Sequence, residues 1–143
     1  METTCKERVA PHLRGRIQDL RKLWKLEQQD PEASGPDLGT FNEYGLSFDY
    51  VAPGTFPDQP EGHFRYQLSW GGPSDEFRIF AQPLNDWHFS IYRIEYWFLD
   101  WFDGAHRVLE GDNLALLSDI FTQFFVDSGS ANHVYEKAIH ETD

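Results

Sequence analysis

The chain predicts an α+β fold: a four- or five-stranded antiparallel sheet with N-terminal and C-terminal helices packed on one face. Three observations predict it. Val9, Leu13, Ile17, Leu20 and Trp24 recur at spacings of three and four, which places an amphipathic helix over 11–28. Residues 45–109 alternate apolar and polar side chains between Gly- and Pro-rich breaks. Residues 112–140 return to helical spacing. Consecutive strands between terminal helices, without strand–helix alternation, give a two-layer sandwich and a single domain over 1–143.

In the first helix Pro11 suits an opening turn, where its missing N–H costs little. Asp30-Pro31 ends the helix, because a residue before proline avoids the α region. Residues 29–43, with Pro31, Gly35, Pro36 and Gly39, are expected as a packed connecting loop. Gly45–Val51 reads as the first strand, with Leu46, Phe48 and Tyr50 on one face, and 52–62 as a loop. Phe64, Tyr66, Leu68 and Trp70 alternate with Arg65, Gln67 and Ser69. Gly71-Gly72-Pro73-Ser74 turns the chain, after which Phe77 and Ile79 face inward and Glu76, Arg78 and Phe80 outward.

Asp86–Trp101 is the longest expected strand, greasy on both faces: Tyr92, Ile94, Tyr96 and Phe98 on one, Ile91, Arg93, Glu95, Trp97 and Leu99 on the other. Asp103-Gly104 signals a turn before a short last strand at 105–109. Asp112 is the expected N-cap of a helix striped by Leu114, Leu117, Phe121 and Phe124. Ser128-Gly129-Ser130 breaks it before a final helix.

The 143 residues include 40% apolar and 16% aromatic side chains, enough for a real core. No stretch approaches the ~18 apolar residues of a membrane span, and the charged segment 5–28 lacks the apolar centre of a signal peptide. The expected location is therefore the cytosol. A single cysteine, Cys5, excludes an internal disulfide and a thiolate zinc cluster.

Charge is unevenly divided. Residues 1–28 carry seven Lys/Arg against four acids, a net +3; the other 115 residues carry five against twenty, a net −15. Such a body repels nucleic acid and attracts basic surfaces. Solubility alone is one explanation; imitation of phosphates before a nucleic-acid-binding partner is the sharper one. The acids expected to make that contact are Asp49, Asp58, Glu61, Asp75, Glu76, Asp100 and Asp103, on loops and strand ends.

No nucleophile elbow, phosphate-cradling loop or HExxH helix is present, so the expectation is a protein that is not an enzyme and needs no cofactor. Asp100, Asp103 and His106 lie close enough in sequence to suggest a hard-metal site, but acids beside turns commonly cap backbone N–H groups. Asp75 and Glu76, adjacent in a strand, point to opposite faces and cannot form a catalytic pair. Aromatic strands that carry acids disfavour nucleic-acid binding by the sheet. Trp97, Trp101 and Phe102 suggest core packing or, together with Trp87, a hydrophobic interface, with a homodimer as one form of it.

Three blocks carry a resemblance: Gly-Leu-Ser-Phe-Asp-Tyr-Val-Ala-Pro-Gly-Thr-Phe at 45–56, the hairpin at 62–80, and Arg-Ile-Glu-Tyr-Trp-Phe-Leu-Asp-Trp-Phe-Asp-Gly-Ala at 93–105. Over roughly 38–125 the chain resembles a family of small acidic accessory proteins carried by bacterial phages and conjugative elements. The resemblance implies mobile-element cargo that counters host defences: an anti-CRISPR or antirestriction protein. The expected partner is a CRISPR effector, whose basic nucleic-acid channel an acidic body would occupy. The alternatives are an interaction module using the aromatic surface and a metal-dependent enzyme.

Overall fold

A computed structural model describes residues 4–141. Helix α1 spans Cys5–Gln29. It starts six residues before the expected 11, because Thr4 and Glu7 form a cap: the Thr4 hydroxyl accepts the Glu7 N–H and donates to the Glu7 carboxylate. Pro11 therefore lies inside the helix, where it lacks the N–H that would bond the Glu7 carbonyl. Asp30, extended, ends α1 as expected.

The connection at 29–43 is structured. It holds a small hairpin, β1 (Ser34–Gly35) and β2 (Gly39–Thr40), and a single helical turn, α2 (Phe41–Tyr44). Thr40 and Glu43 satisfy each other's backbone N–H groups in a capping box. This turn presses Phe41, 1% exposed, against Trp24, with ring centroids 5.2 Å apart.

The main sheet has five strands in sequence order: β3 (Ser47–Val51), β4 (His63–Ser69), β5 (Ser74–Pro83), β6 (Phe89–Asp100) and β7 (Asp103–Val108). Every neighbouring pair is antiparallel. The helices α3 (Gly111–Ile120) and α4 (Ser130–Glu141) follow, joined by a π-helical segment at Phe121–Val126 and the expected break at 128–129. The α3 N-cap is Glu110, without a side-chain cap bond; Asp112 sits in the first turn instead.

The core lies between the helices and one sheet face. Val9, Ile17, Leu20, Leu23 and Trp24 of α1 join Phe64, Tyr66, Phe77, Ile79, Ile94, Tyr96 and Phe98 of the sheet and Leu117, Ile120, Phe121 and Phe125 at the C-terminal side. Leu13, Leu114 and Phe124, also expected at the centre, pack at its margin. Burial of each large apolar side chain stabilises by about 1.5–3 kcal/mol. Inward Phe77 and Ile79 and outward Glu76 and Arg78 follow the alternation of β5.

Two departures matter for the site. Phe80 pairs with Arg93 but Ala81 with Ile91, so Tyr92 is an extra residue in β6. That bulge moves Tyr92 off the core face and brings Phe89 and Ile91 onto it. The β6–β7 turn is Trp101–Phe102; Asp103-Gly104, the expected turn, already belongs to β7, with Asp100 opposite Asp103.

Candidate functional site

Most of the acids expected at the surface are occupied within the chain. Asp75 is 2% exposed, on the helix side of β5. Arg16 of α1 grips it through Nε at 2.7 Å and Nη2 at 3.0 Å, and the Tyr96 hydroxyl donates at 2.6 Å. The Ser69 hydroxyl is its fourth donor. Burial raises the carboxyl pKa, but the hydrogen bonds from Arg16, Ser69 and Tyr96 outweigh it and hold the group below the ordinary Asp value. Glu76, 3% exposed on the opposite face, accepts from Arg78 Nε at 2.8 Å. The structure thus corrects the placement of both residues: neither lies on an exposed hairpin edge.

The other acids follow the same rule. Asp100 is paired with Arg8 at 2.6 Å, and Asp103 accepts the Cys5 N–H at 2.8 Å, so both fasten the start of α1 to the β6–β7 hairpin. Asp49 pairs with Arg65 at 2.6 Å, and Glu61 with Arg93 at 2.7 Å and with Tyr92. Among the described residues, Asp58 is the one member of the seven with neither a hydrogen bond nor an ion pair. Part of the contrast between a basic helix and an acidic body is therefore complementarity within the molecule.

The sheet face away from the helices carries a second charged layer. Arg78 lies over the Trp97 ring and Arg93 over Phe80, each 4.0 Å from the centroid. Glu95 accepts from Arg93 Nε and Trp97 Nε1. Trp97, expected in an apolar patch, is thus covered by Arg78 and by His106, which stacks at 4.4 Å. Residues 58–61 overhang this layer and leave a groove of about 280 Å³ above His63, Arg78, Phe80 and Arg93. His63 is buried, and desolvation, helped by the Arg78 charge, lowers its pKa to about 4. At neutral pH it is an uncharged imidazole.

At one end of the sheet two hairpin tips meet. An added Cβ on Gly72, in the β4–β5 turn, would sit 3.8 Å from both Asp100 Oδ1 and Trp101 Nε1. Here Trp70 is 76% exposed, Trp101 88% and Phe102 fully exposed. Trp101 holds φ 57°, a left-handed conformation that costs a bulky residue about 1–2 kcal/mol. Trp87, 72% exposed at φ 64°, repeats the pattern beyond β5, at the opposite end of that strand. In the sequence Trp101 and Phe102 carry both a core and an interface reading, and Trp70 reads as part of a half-buried strand because its alternation runs unbroken into the turn. Arg78 and Arg93 carry a local signal, each sharing a strand face with an acid two residues away, Glu76 and Glu95; Arg8 and Arg16 carry none, since Asp100 and Asp75 lie 92 and 59 residues on.

His106 stacks on Trp97 while Asp100 and Asp103 serve α1; among the described residues no group of three or more His, Cys, Asp or Glu side chains is placed to hold a metal ion. No described helix is long and apolar enough to cross a membrane. Comparison with protein-family models, with curated proteins and with solved structures finds no match.

Proposed function

We propose that the protein is an anti-defence binding module that docks through Trp70, Trp101 and Phe102 onto a basic, nucleic-acid-binding bacterial defence protein such as a CRISPR effector. The observation that carries this reading is the cluster of three exposed aromatics on two abutting hairpin tips. Neither burial nor backbone preference accounts for a tryptophan at the Trp101 position. Aromatic anchors surrounded by polar rims dominate the energy of protein interfaces. The tip is also held rigidly, because Asp100 and Asp103 on its flanks are bonded to α1. A pre-ordered loop loses less entropy on docking.

The net charge of −12 then acts at long range, drawing a basic partner in and setting the association rate. Phosphate imitation by a dedicated acid row receives less support, because six of the seven expected acids already have partners inside the chain. A plasmid-interference assay tests the reading in bacteria carrying individual CRISPR effectors. Expression of the protein is expected to relieve interference by at least one effector. The Trp70→Ala/Trp101→Ala/Phe102→Ala variant is expected to lose that relief while Asp58→Asn keeps it. No relief across the effectors overturns the anti-defence role; full relief by the triple variant overturns the aromatic anchor.

A further inference from the structure

Strand β7 is an edge of the sheet: α1 packs against it, and among the described residues no strand pairs with its outer side. Five of its six residues, all but Ala105, are exposed. The opposite edge, β3, is flanked by α4, with Tyr50 and Tyr135 rings 4.9 Å apart. Natural edges are usually blunted by Lys, Pro or a bulge. β7 has no Lys or Pro, and its register with β6 is unbroken from Asp103 to Val108.

The hydrogen-bond phase shows which backbone groups are free. The Leu109 N–H bonds the Ile94 carbonyl at 2.9 Å, so residues 109, 107, 105 and 103 turn their N–H and C=O toward β6. Gly104, His106 and Val108 therefore turn theirs outward; no described backbone group bonds them, and only side chains reach them, the Asp103 carboxylate at the Gly104 N–H and Arg107 at the His106 carbonyl.

We infer that β7 pairs with β7 of a second copy of this chain, antiparallel, with His106 on the two-fold axis. The outward set is symmetric about His106. His106 faces its own copy and Gly104 faces Val108, so six backbone hydrogen bonds form from three residues a side. The small Gly104 leaves room for the opposing Val108, as Ala105 does for the opposing Arg107. Diagonal neighbours across such a joint are Asp103 of one copy and Arg107 of the other, which lie on the same face. Among the described residues Arg107 has no carboxylate partner; its side chain bonds the His106 carbonyl at 3.0 Å. The strand carries one Asp and one Arg, so the joint is locally near neutral although each chain has a net charge of −12. The inference rests on the β7 backbone and not on the aromatic tip.

Diamide oxidation of His106→Cys in the full chain tests the register. A hydrogen-bonded antiparallel pair places Cα atoms about 5.5 Å apart, within disulfide range. A covalent dimer is expected from His106→Cys and not from Ala105→Cys. Sedimentation of the unmodified chain is expected to show a concentration-dependent dimer, and Arg107→Glu, which sets two carboxylates together, is expected to weaken it at least tenfold. His106→Pro removes an outward N–H without breaking a β6 bond and is expected to give a folded monomer by circular dichroism. A monomer at every concentration up to about 1 mM, equal crosslinking of the two cysteine variants, or an Arg107→Glu dimer as tight as the parent overturns the pairing.

Discussion

Arg16 and Asp75 fasten the first helix to the middle of the sheet, the guanidinium meeting both carboxylate oxygens in a two-pronged contact across 59 residues of sequence. Parallel N–H···O bonds of this kind give direction as well as strength. The pair sets the rotation of α1, and with it the placement of Arg8 and Cys5 against the β6–β7 hairpin.

Asp75→Asn is expected to destabilise the fold by about 3 kcal/mol, the lower end for a broken buried ion pair because Arg16 retains some access to water. Urea denaturation measures it. The Asp75→Lys/Glu76→Lys double variant is expected to be unfolded, since one lysine would be buried against Arg16 and the other against Arg78. The lowered Asp75 pKa adds a pH signature: its stabilisation is present above the ordinary carboxylate pKa and is lost as pH falls through the lower folded value.

His63 titrates in a different window. Its pKa falls from about 6.5 when unfolded to about 4 when folded, so below pH 6.5 the unfolded chain takes up a proton that the native chain refuses. Stability is expected to fall between pH 6.5 and 4 by on the order of 3 kcal/mol. A His63→Phe variant is expected to flatten this part of the stability–pH curve, as read from urea midpoints at successive pH values.

Gly45→Ala is expected to cost about 1–3 kcal/mol. An added Cβ would collide with Cε1 of the buried Tyr66 ring, which packs against Phe125. A thermal melt of the variant decides it.

Trp101→Gly is expected to leave stability unchanged or raise it by up to about 1 kcal/mol, because glycine accepts a positive φ without strain. The same substitution is expected to weaken capture of the defence partner. Opposite signs for stability and binding identify a side chain kept for contact; a destabilised variant would show instead that the ring supports the hairpin.

The fold was legible because its signals are local. Alternation along 64–70 and 77–80 and the spacing of Leu20 and Trp24 each need only a few residues of context. Thr4 and Glu7 also carried the start of α1 in a local pattern, overlooked because Pro11 suggested a later beginning. The site was less legible. Whether Asp75 faces water depends on Arg16, 59 residues away, and no composition or period reports that pairing. Exposure of Trp70 likewise depends on where the β4–β5 turn projects beyond the sheet.

The strictly sequential strand order has a kinetic consequence. Each sheet pairing closes a loop no longer than a hairpin or the 52–62 segment, whereas the bonds from Arg8 and Cys5 to the sheet span 92 and 98 residues. Ring closure of that length carries the largest entropic cost in the molecule. The meander is thus set to assemble first, with α1 swinging in afterwards as the clasp. During refolding, a fluorescence probe at Trp24 should lag one at Trp97, and the interval between them measures how long the growing core stays open to solvent.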